Sequence, residues 1–202
     1  PEQELADRLI AQSGSVFLSA VLAGDMEGDN GDRIMCAVSI LENLPLVIDD
    51  QGGLTLFDVA SKARSVKRKH GLGLLVIDYL QLMTSLKESD NRSAELSEIS
   101  RSVKSLAKEL NVPIIALSQL NRSLEQRPNK RPVASDLRES GAIEQDADII
   151  MFIYRDEIYN PDSPDKGMAE LIISKHRNGS TGTIRMTFLG EFTRFENFAG
   201  TY

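Results

Sequence analysis

The stretch Leu74-Leu75-Val76-Ile77-Asp78-Tyr79 constrains the fold more than any other part of the chain. A short, apolar, β-branched run predicts a strand buried on both faces, as in parallel sheets flanked by helices. The run closes on a carboxylate. Ligands of open α/β sheets bind outside the carboxyl ends of the strands. An acid at that point therefore sits where Mg²⁺ of a bound nucleotide can be held through water. The same residue type also opens turns after strands, satisfied by backbone amides, and Asp78 alone does not choose between the two. The pattern G-x-x-x-x-G-K-[ST], whose loop cradles phosphates in such sites, occurs nowhere in the chain. One half of a nucleotide site is expected, with its other half missing.

The rest of the chain alternates in the same manner. Spacing predicts a helix over 2–12, a loop over 25–32 and a helix around 34–41. A short strand is expected at Leu46-Val47-Ile48-Asp49, then a helix capped by Thr55 with the basic end Lys67-Arg68-Lys69-His70. Cations there complement the helix dipole, which is preferred over DNA contact as their explanation. Residues 84–92 read as a polar mobile loop and 95–110 as a helix. A second buried strand, 112–119, ends in Ser118-Gln119 and tolerates Pro113 at its start. A polar segment over 121–135 precedes a short helix near 136–145. Strands over 147–154 and 168–174 and a hairpin turned at Leu189-Gly190-Glu191 complete the pattern. The fold class is α/β: a mostly parallel sheet flanked by helices, with a C-terminal antiparallel hairpin.

The chain has 202 residues, 41% of them apolar, enough for a single domain with a sizeable core. Its net charge of −7 argues against nucleic-acid binding over the whole surface but leaves room for a local basic strip. Cys36 is the only cysteine, so neither a disulfide framework nor a thiolate metal cluster is available. Among Ile34, Met35, Ala37 and Val38 it reads as a buried, inert thiol, and an intracellular setting is expected. No apolar run is long enough to span a membrane. The sequence opens on Pro1 without an initiator methionine, which is read as a piece of something longer.

Three further constellations carry chemistry. Gln119, at the tip of the second strand, has the donor and acceptor needed to sense a γ-phosphate or orient a water; a simple bond to a loop is the alternative. Lys175-His176-Arg177-Asn178-Gly179 closes the fourth strand. Lys175 and Arg177 are two apart and project from one face, where they suit stabilisation of phosphate charge; a solvated strand end is the alternative. Neither His176 nor His70 has metal-ligand neighbours, so no zinc site is proposed. Arg122, Arg127, Lys130, Arg131 and Arg138 face only Glu125 and Asp136 in their segment. That strip is a candidate for phosphate backbone or a plain soluble surface. It holds no aromatic residue for stacking bases. The stretch Asp136-Leu137-Arg138-Glu139-Ser140-Gly141 ends it with a possible anion-binding helix start.

Taken together, Val76-Ile77-Asp78-Tyr79-Leu80-Gln81-Leu82, Leu117-Ser118-Gln119-Leu120-Asn121-Arg122, Asp136 to Gly141, Glu144-Gln145-Asp146-Ala147-Asp148 and Lys175 to Gly179 resemble the C-terminal motor domain of the bacterial replicative DnaB helicases, in order and in spacing. The resemblance covers essentially residues 1–202 as one partial motor domain and is weakest over 14–45. It implies a RecA-like P-loop NTPase fold, ATP or another NTP with Mg²⁺ as cofactors, and a homohexameric ring encircling single-stranded DNA and moving 5′→3′. It implies Asp78 as the Walker B acid on Mg²⁺ and Gln119 as the phosphate sensor. Lys175 and Arg177 resemble the pair that reaches into the neighbouring subunit's site, with Arg177 as the finger. Arg138, Glu139 and Gly141 match the loop that contacts DNA. His176 stands where the family often has glutamine. Primase and a helicase loader are implied partners, mostly through parts outside this chain, and the bacterial cytoplasm and replisome are the implied location.

By the same resemblance, the phosphate-binding loop and the general-base glutamate lie upstream of Pro1, together with a central strand. An exposed sheet region and a tendency to associate are therefore expected. A recombination or repair ATPase related to RecA shares the Walker B strand, but the 136–141 and 175–179 stretches are not expected there. A non-catalytic module that inserts into helicase rings is a further alternative. The chain alone is expected to bind nucleotide poorly and hydrolyse none. Micromolar ATP affinity in a titration, or turnover by the pure chain, would refute that.

Overall fold

A computed structural model describes residues 2–84, 92–137 and 141–199. The described chain forms two compact units. One comprises residues up to Asp50 with 153–171 and 183 onward; the other comprises 51–152 and 172–182. Expectations that fall on 85–91 and on Arg138, Glu139 and Ser140 lie outside the described residues.

The second unit carries the strand that ends at Asp78. Helix α4 (Leu56–His70) starts at Thr55, whose side chain accepts from Asp58 N while the Asp58 carboxylate accepts from Thr55 N at 2.9 Å. This reciprocal capping box satisfies two amides that the first helical turn leaves open. The basic end falls in the last turn of α4 as expected, and Lys67 Nζ donates to the Leu110 carbonyl. Strand β1 (Leu75–Ile77) pairs in parallel with β2 (Ile114–Ala116), and helix α5 (Arg92–Leu110) connects them. Asn111 ends α5 in the left-handed conformation at φ 47°, a position asparagine tolerates.

The leucine and isoleucine spacing of α5 faces inward. Leu96 and Ile99 join Ile77, Leu80, Met83 and Ile143 in one core, and Leu106 and Leu110 join Ala60, Ala63 and Val112 in another. Helix α6 (Gly141–Asp146) contributes Ile143 to the first. It is shorter and later than the expected helix; Asp136 lies instead in a 3₁₀ turn, Ala134–Asp136.

Strands β3 (Ile149–Tyr154), β4 (Met168–His176), β5 (Gly182–Leu189) and β6 (Arg194–Asn197) form a second sheet in that order. The hairpin β5–β6 is antiparallel, with Phe188 opposite Phe195. Its turn is Gly190–Phe192, so Phe192 lies outside the second strand, contrary to expectation. In the first unit Phe192 stacks on Phe17 with ring centroids 5.4 Å apart, which draws it out of the strand. That unit also holds α1 (Glu2–Gly14), α2 (Leu18–Ala23) and α3 (Asn30–Glu42). Arg33 of α3 donates to the Gly14 carbonyl at 2.9 Å, and Arg194 to the Gln12 carbonyl at 3.1 Å.

Three expectations are corrected here. The segment at Leu46-Val47-Ile48-Asp49 forms no strand; Leu46 and Val47 are exposed, and no ladder partner lies alongside among the described residues. An apolar run becomes a strand only where another backbone takes up its hydrogen bonds. Cys36 is exposed rather than buried. Ala37 occupies the inward face of α3, and at about 100° per residue its predecessor is turned outward. Nor are the strands covered on both faces: Val76 is 53% exposed, and Ile115, Leu117, Ile149 and Met151 are exposed as well. This matches the expected exposed sheet region. Among the described residues, β1 and β2 pair only with each other, and β3 is an end strand of its sheet.

Leu96, 2% exposed, is the largest side chain that is fully enclosed in the first core. Leu96→Ala is expected to destabilise the chain by about 3 kcal/mol, from lost burial plus the cavity left behind. A urea titration showing a change below ~1 kcal/mol would contradict this packing.

Candidate nucleotide-site half and cation pair

The parallel register aligns Ile77 with Ala116, so both chains leave the ladder at the same end. Leu117 N donates to Ile77 O at 2.9 Å and Leu80 N to Leu117 O at 3.0 Å, which extends the pairing past both strand tips. Asp78 and Gln119 thus emerge side by side from one edge of the sheet. The Asp78–Tyr79 peptide is cis. Asp78 is exposed, and its carboxylate has no hydrogen bond or ion pair among the described residues. Turn amides do not satisfy it, so the charge stays available for a cation. An exposed carboxylate at a strand tip fits a Mg²⁺ ion held through water, the usual mode for this hard, reluctantly dehydrated cation.

Gln119 is exposed, and its side-chain amide likewise has no bond among the described residues. Its backbone is held instead by Gln81, a residue to which sequence reasoning assigns no role. Gln81 Oε1 accepts from Gln119 N at 3.2 Å, and Gln81 Nε2 donates to Ser118 Oγ at 3.0 Å and to Gln119 O at 3.4 Å. Gln81 follows Asp78 by three residues in a 3₁₀ turn, Leu80–Leu82, that the ladder places beside the second strand tip. The clamp fixes the backbone that presents Gln119 and leaves its amide free. Only the fact that Gln81 lies in the same motif as Asp78 hinted at this.

Lys175 and Arg177 do act from one face. Lys175 Nζ donates to the carbonyls of Glu144 and Gln145, the latter at 3.2 Å, and Arg177 Nη2 donates to Gln145 O at 3.1 Å. These acceptors lie in the last turn of α6, where helix carbonyls lack intrahelical partners and the dipole attracts cations. Asp148 completes the group. It takes Arg177 N on its carbonyl at 2.8 Å and Arg177 Nε near Oδ1 at 3.4 Å, and its Oδ2 bonds Lys104. The hydrogen bond from Lys104 holds the Asp148 carboxyl below the usual aspartate range, with Arg177 and Lys175 adding to the effect. The His176 ring lies over Gly179, where an added Cβ would sit 2.3 Å from Cε1. No hydrogen bond or ion pair among the described residues joins Lys175 or Arg177 to Asp78 or Gln119.

The basic strip is less uniform than its sequence. Arg127 donates to Asp136 Oδ2 at 2.7 Å and to the Arg131 carbonyl at 3.0 Å. Asp136, 5% exposed, also accepts from Val133 N at 2.8 Å. A buried carboxylate must be paired, and Arg127 is its partner, so this arginine braces the loop instead of offering its charge to a backbone phosphate. Gly141 opens α6, with open space around the position of its missing Cβ; Arg138 and Glu139 lie outside the described residues. No group of His, Cys, Asp and Glu that could hold a metal by itself occurs among the described residues, and none of their helices is long and apolar enough to cross a membrane.

Comparison with known proteins identifies the family and the fold. The chain is 52% identical over 202 residues to a replicative DNA helicase DnaB of Buchnera aphidicola, covering 99% of the chain and 44% of that relative. The corresponding protein of Haemophilus influenzae is 53% identical, with 98% and 43% covered. That of Geobacillus stearothermophilus is 46% identical over 196 residues, covering 96% and 43%. The chain thus spans less than half the length of these curated relatives. Among solved structures, an isolated ATPase domain superposes with a TM-score of 0.94 at 42% identity, over 98% of this chain and 71% of that one. A DnaB-like replicative helicase, solved in work on its interactions with primase, gives 0.94 and 42% over 98% and 48%. The fold is therefore that of DnaB-like helicase ATPase domains. Residues 1–197 match the family described as the DnaB-like helicase C-terminal domain, and the chain belongs to that family.

Proposed function

We propose that this chain is part of the motor domain of a replicative DNA helicase whose full-length form is a hexameric ring. That ring hydrolyses ATP or another NTP at sites between subunits and moves 5′→3′ on single-stranded DNA. The observation that carries this reading is the common exit of Asp78 and Gln119 from the β1–β2 ladder, with both side chains unspent. Asp78 holds Mg²⁺ through water, and a bound Mg²⁺ supplies charge neutralisation on the β- and γ-phosphates. Gln119 bonds the γ-phosphate or the attacking water, and the Gln81 clamp transmits any shift of that amide to the Leu80–Leu82 turn. Lys175 and Arg177 serve the neighbouring subunit's site, with Arg177 the finger that meets charge developing on the transferred phosphoryl group.

Arg138, Glu139 and Gly141 form the loop that meets the DNA backbone, with Arg122, Lys130 and Arg131 the remaining basic residues of the strip. The whole of 1–202 is one partial motor domain in this reading. Primase and a helicase loader dock mostly on other parts of the full-length protein, which works at the replisome in the bacterial cytoplasm.

In the full-length protein, Asp78→Asn is expected to lower kcat for NTP hydrolysis about a hundredfold or more while the ring still assembles. A variant with wild-type turnover under saturating Mg²⁺ would remove Asp78 from the site. For DNA, Arg138→Ala is expected to weaken single-strand binding and to reduce the salt dependence by about 0.7 in the slope of log K against log salt. An unchanged slope would remove Arg138 from the DNA loop.

A further inference from the structure

Lys175 and Arg177 sit at a strand tip, and their side chains are long, with considerable rotamer entropy. A cation meant to meet a phosphate on another subunit must be held in place before that phosphate arrives, because a floppy donor loses part of its effect to ordering. Three groups hold this pair. Two are helix-terminal carbonyls of α6: Gln145 O accepts from both cations and Glu144 O from Lys175. The third is Asp148, whose carbonyl accepts from the Arg177 backbone amide at 2.8 Å and whose carboxylate Oδ1 lies 3.4 Å from Arg177 Nε.

Asp148 differs from the carbonyls in what stands behind it. Its other carboxylate oxygen bonds Lys104, and Lys104 belongs to α5. That helix packs Leu96 and Ile99 against Ile77, the residue immediately before Asp78. The Asp148 side chain is 55% exposed, and ion pairs so exposed contribute little to stability. A carboxylate that bridges two cations from separate elements, yet adds little to folding, is placed to set geometry.

We propose that Asp148 is a positioning residue for the Arg177 finger, aiming its guanidinium by bracing it against Lys104 of α5. The proposal rests on the finger reading given above. Its carboxyl stays ionised throughout the neutral range, since its neighbours hold it below the ordinary aspartate value. Asp148 touches neither nucleotide nor DNA in this scheme; it acts through Arg177 alone. Loss of Asp148 therefore affects the transition state and leaves nucleotide binding as it was.

The test is a double-variant cycle in the full-length hexamer, with kcat and KM for NTP hydrolysis as readouts. Arg177→Ala is expected to lower kcat about a thousandfold. Asp148→Asn is expected to lower kcat about tenfold with KM unchanged. The double variant is expected to equal Arg177→Ala, because Asp148 has nothing left to aim. Should Asp148→Asn not assemble, Asp148→Glu serves in the same cycle, with a loss of about threefold that likewise vanishes beside Arg177→Ala. Wild-type kcat in Asp148→Asn, a raised KM, or a full additional tenfold loss in the double variant each overturns the positioning role while leaving the finger standing. Wild-type kcat in Arg177→Ala overturns the finger, and the positioning role with it.

Discussion

Three residue pairs, Leu75–Ile114, Val76–Ile115 and Ile77–Ala116, hold β1 and β2 side by side and in the same direction. The site depends on this short ladder. Parallel pairing sends both chains out of the sheet at one edge, so the polar residues just past the two strands leave at the same end. A slip of one residue would turn Asp78 and Gln119 to opposite faces, because side chains alternate along a strand. Three pairs are a weak specification on their own. The register is kept by α5, whose Leu96 and Ile99 pack against Ile77 from the helix that joins the two strands. A parallel pair needs such a crossover, and here the crossover also supplies the core.

The same helix reaches a second group of functional side chains. Lys104, two turns beyond Leu96, holds the Asp148 carboxylate that faces Arg177. One rigid element thus touches the strand that ends at Asp78 and the acid that faces Arg177. The cation pair itself rests on the end of α6, where the helix offers unpaired carbonyls and the negative end of its dipole. Neither arrangement needs a deep pocket. Asp78, Gln119 and Arg177 are exposed, and the backbones or side chains that carry them are oriented from behind.

Sequence reasoning succeeded where one local rule dominated. The Thr55 cap, the basic end of α4 and the spacing of α5 were legible because capping, dipole and periodicity act within a few residues. It failed where a partner from elsewhere decided the outcome. The apolar Leu46 segment found no strand to pair with. Cys36 was read from its apolar neighbours, but the direction of one helix face turned it outward. Arg127 counted as a free cation of the strip until the fold buried Asp136 beside it. Phe192 left the hairpin strand to stack on Phe17, distant in sequence but adjacent in space.

The sequence by itself determined the chemistry available: an acid closing an apolar strand, a glutamine closing another, two cations two residues apart on a strand tip, and no phosphate-cradling loop. Those choices are local and survive in any fold that forms the strands. The tertiary structure decided how the groups are held. It left the Asp78 carboxylate without a partner among the described residues, recruited Gln81 to fix the Gln119 backbone, and set Asp148 between Lys104 and Arg177. The reason is geometric: such contacts join residues 38, 44 and 29 positions apart, and only packing brings distant charges and amides within hydrogen-bonding reach.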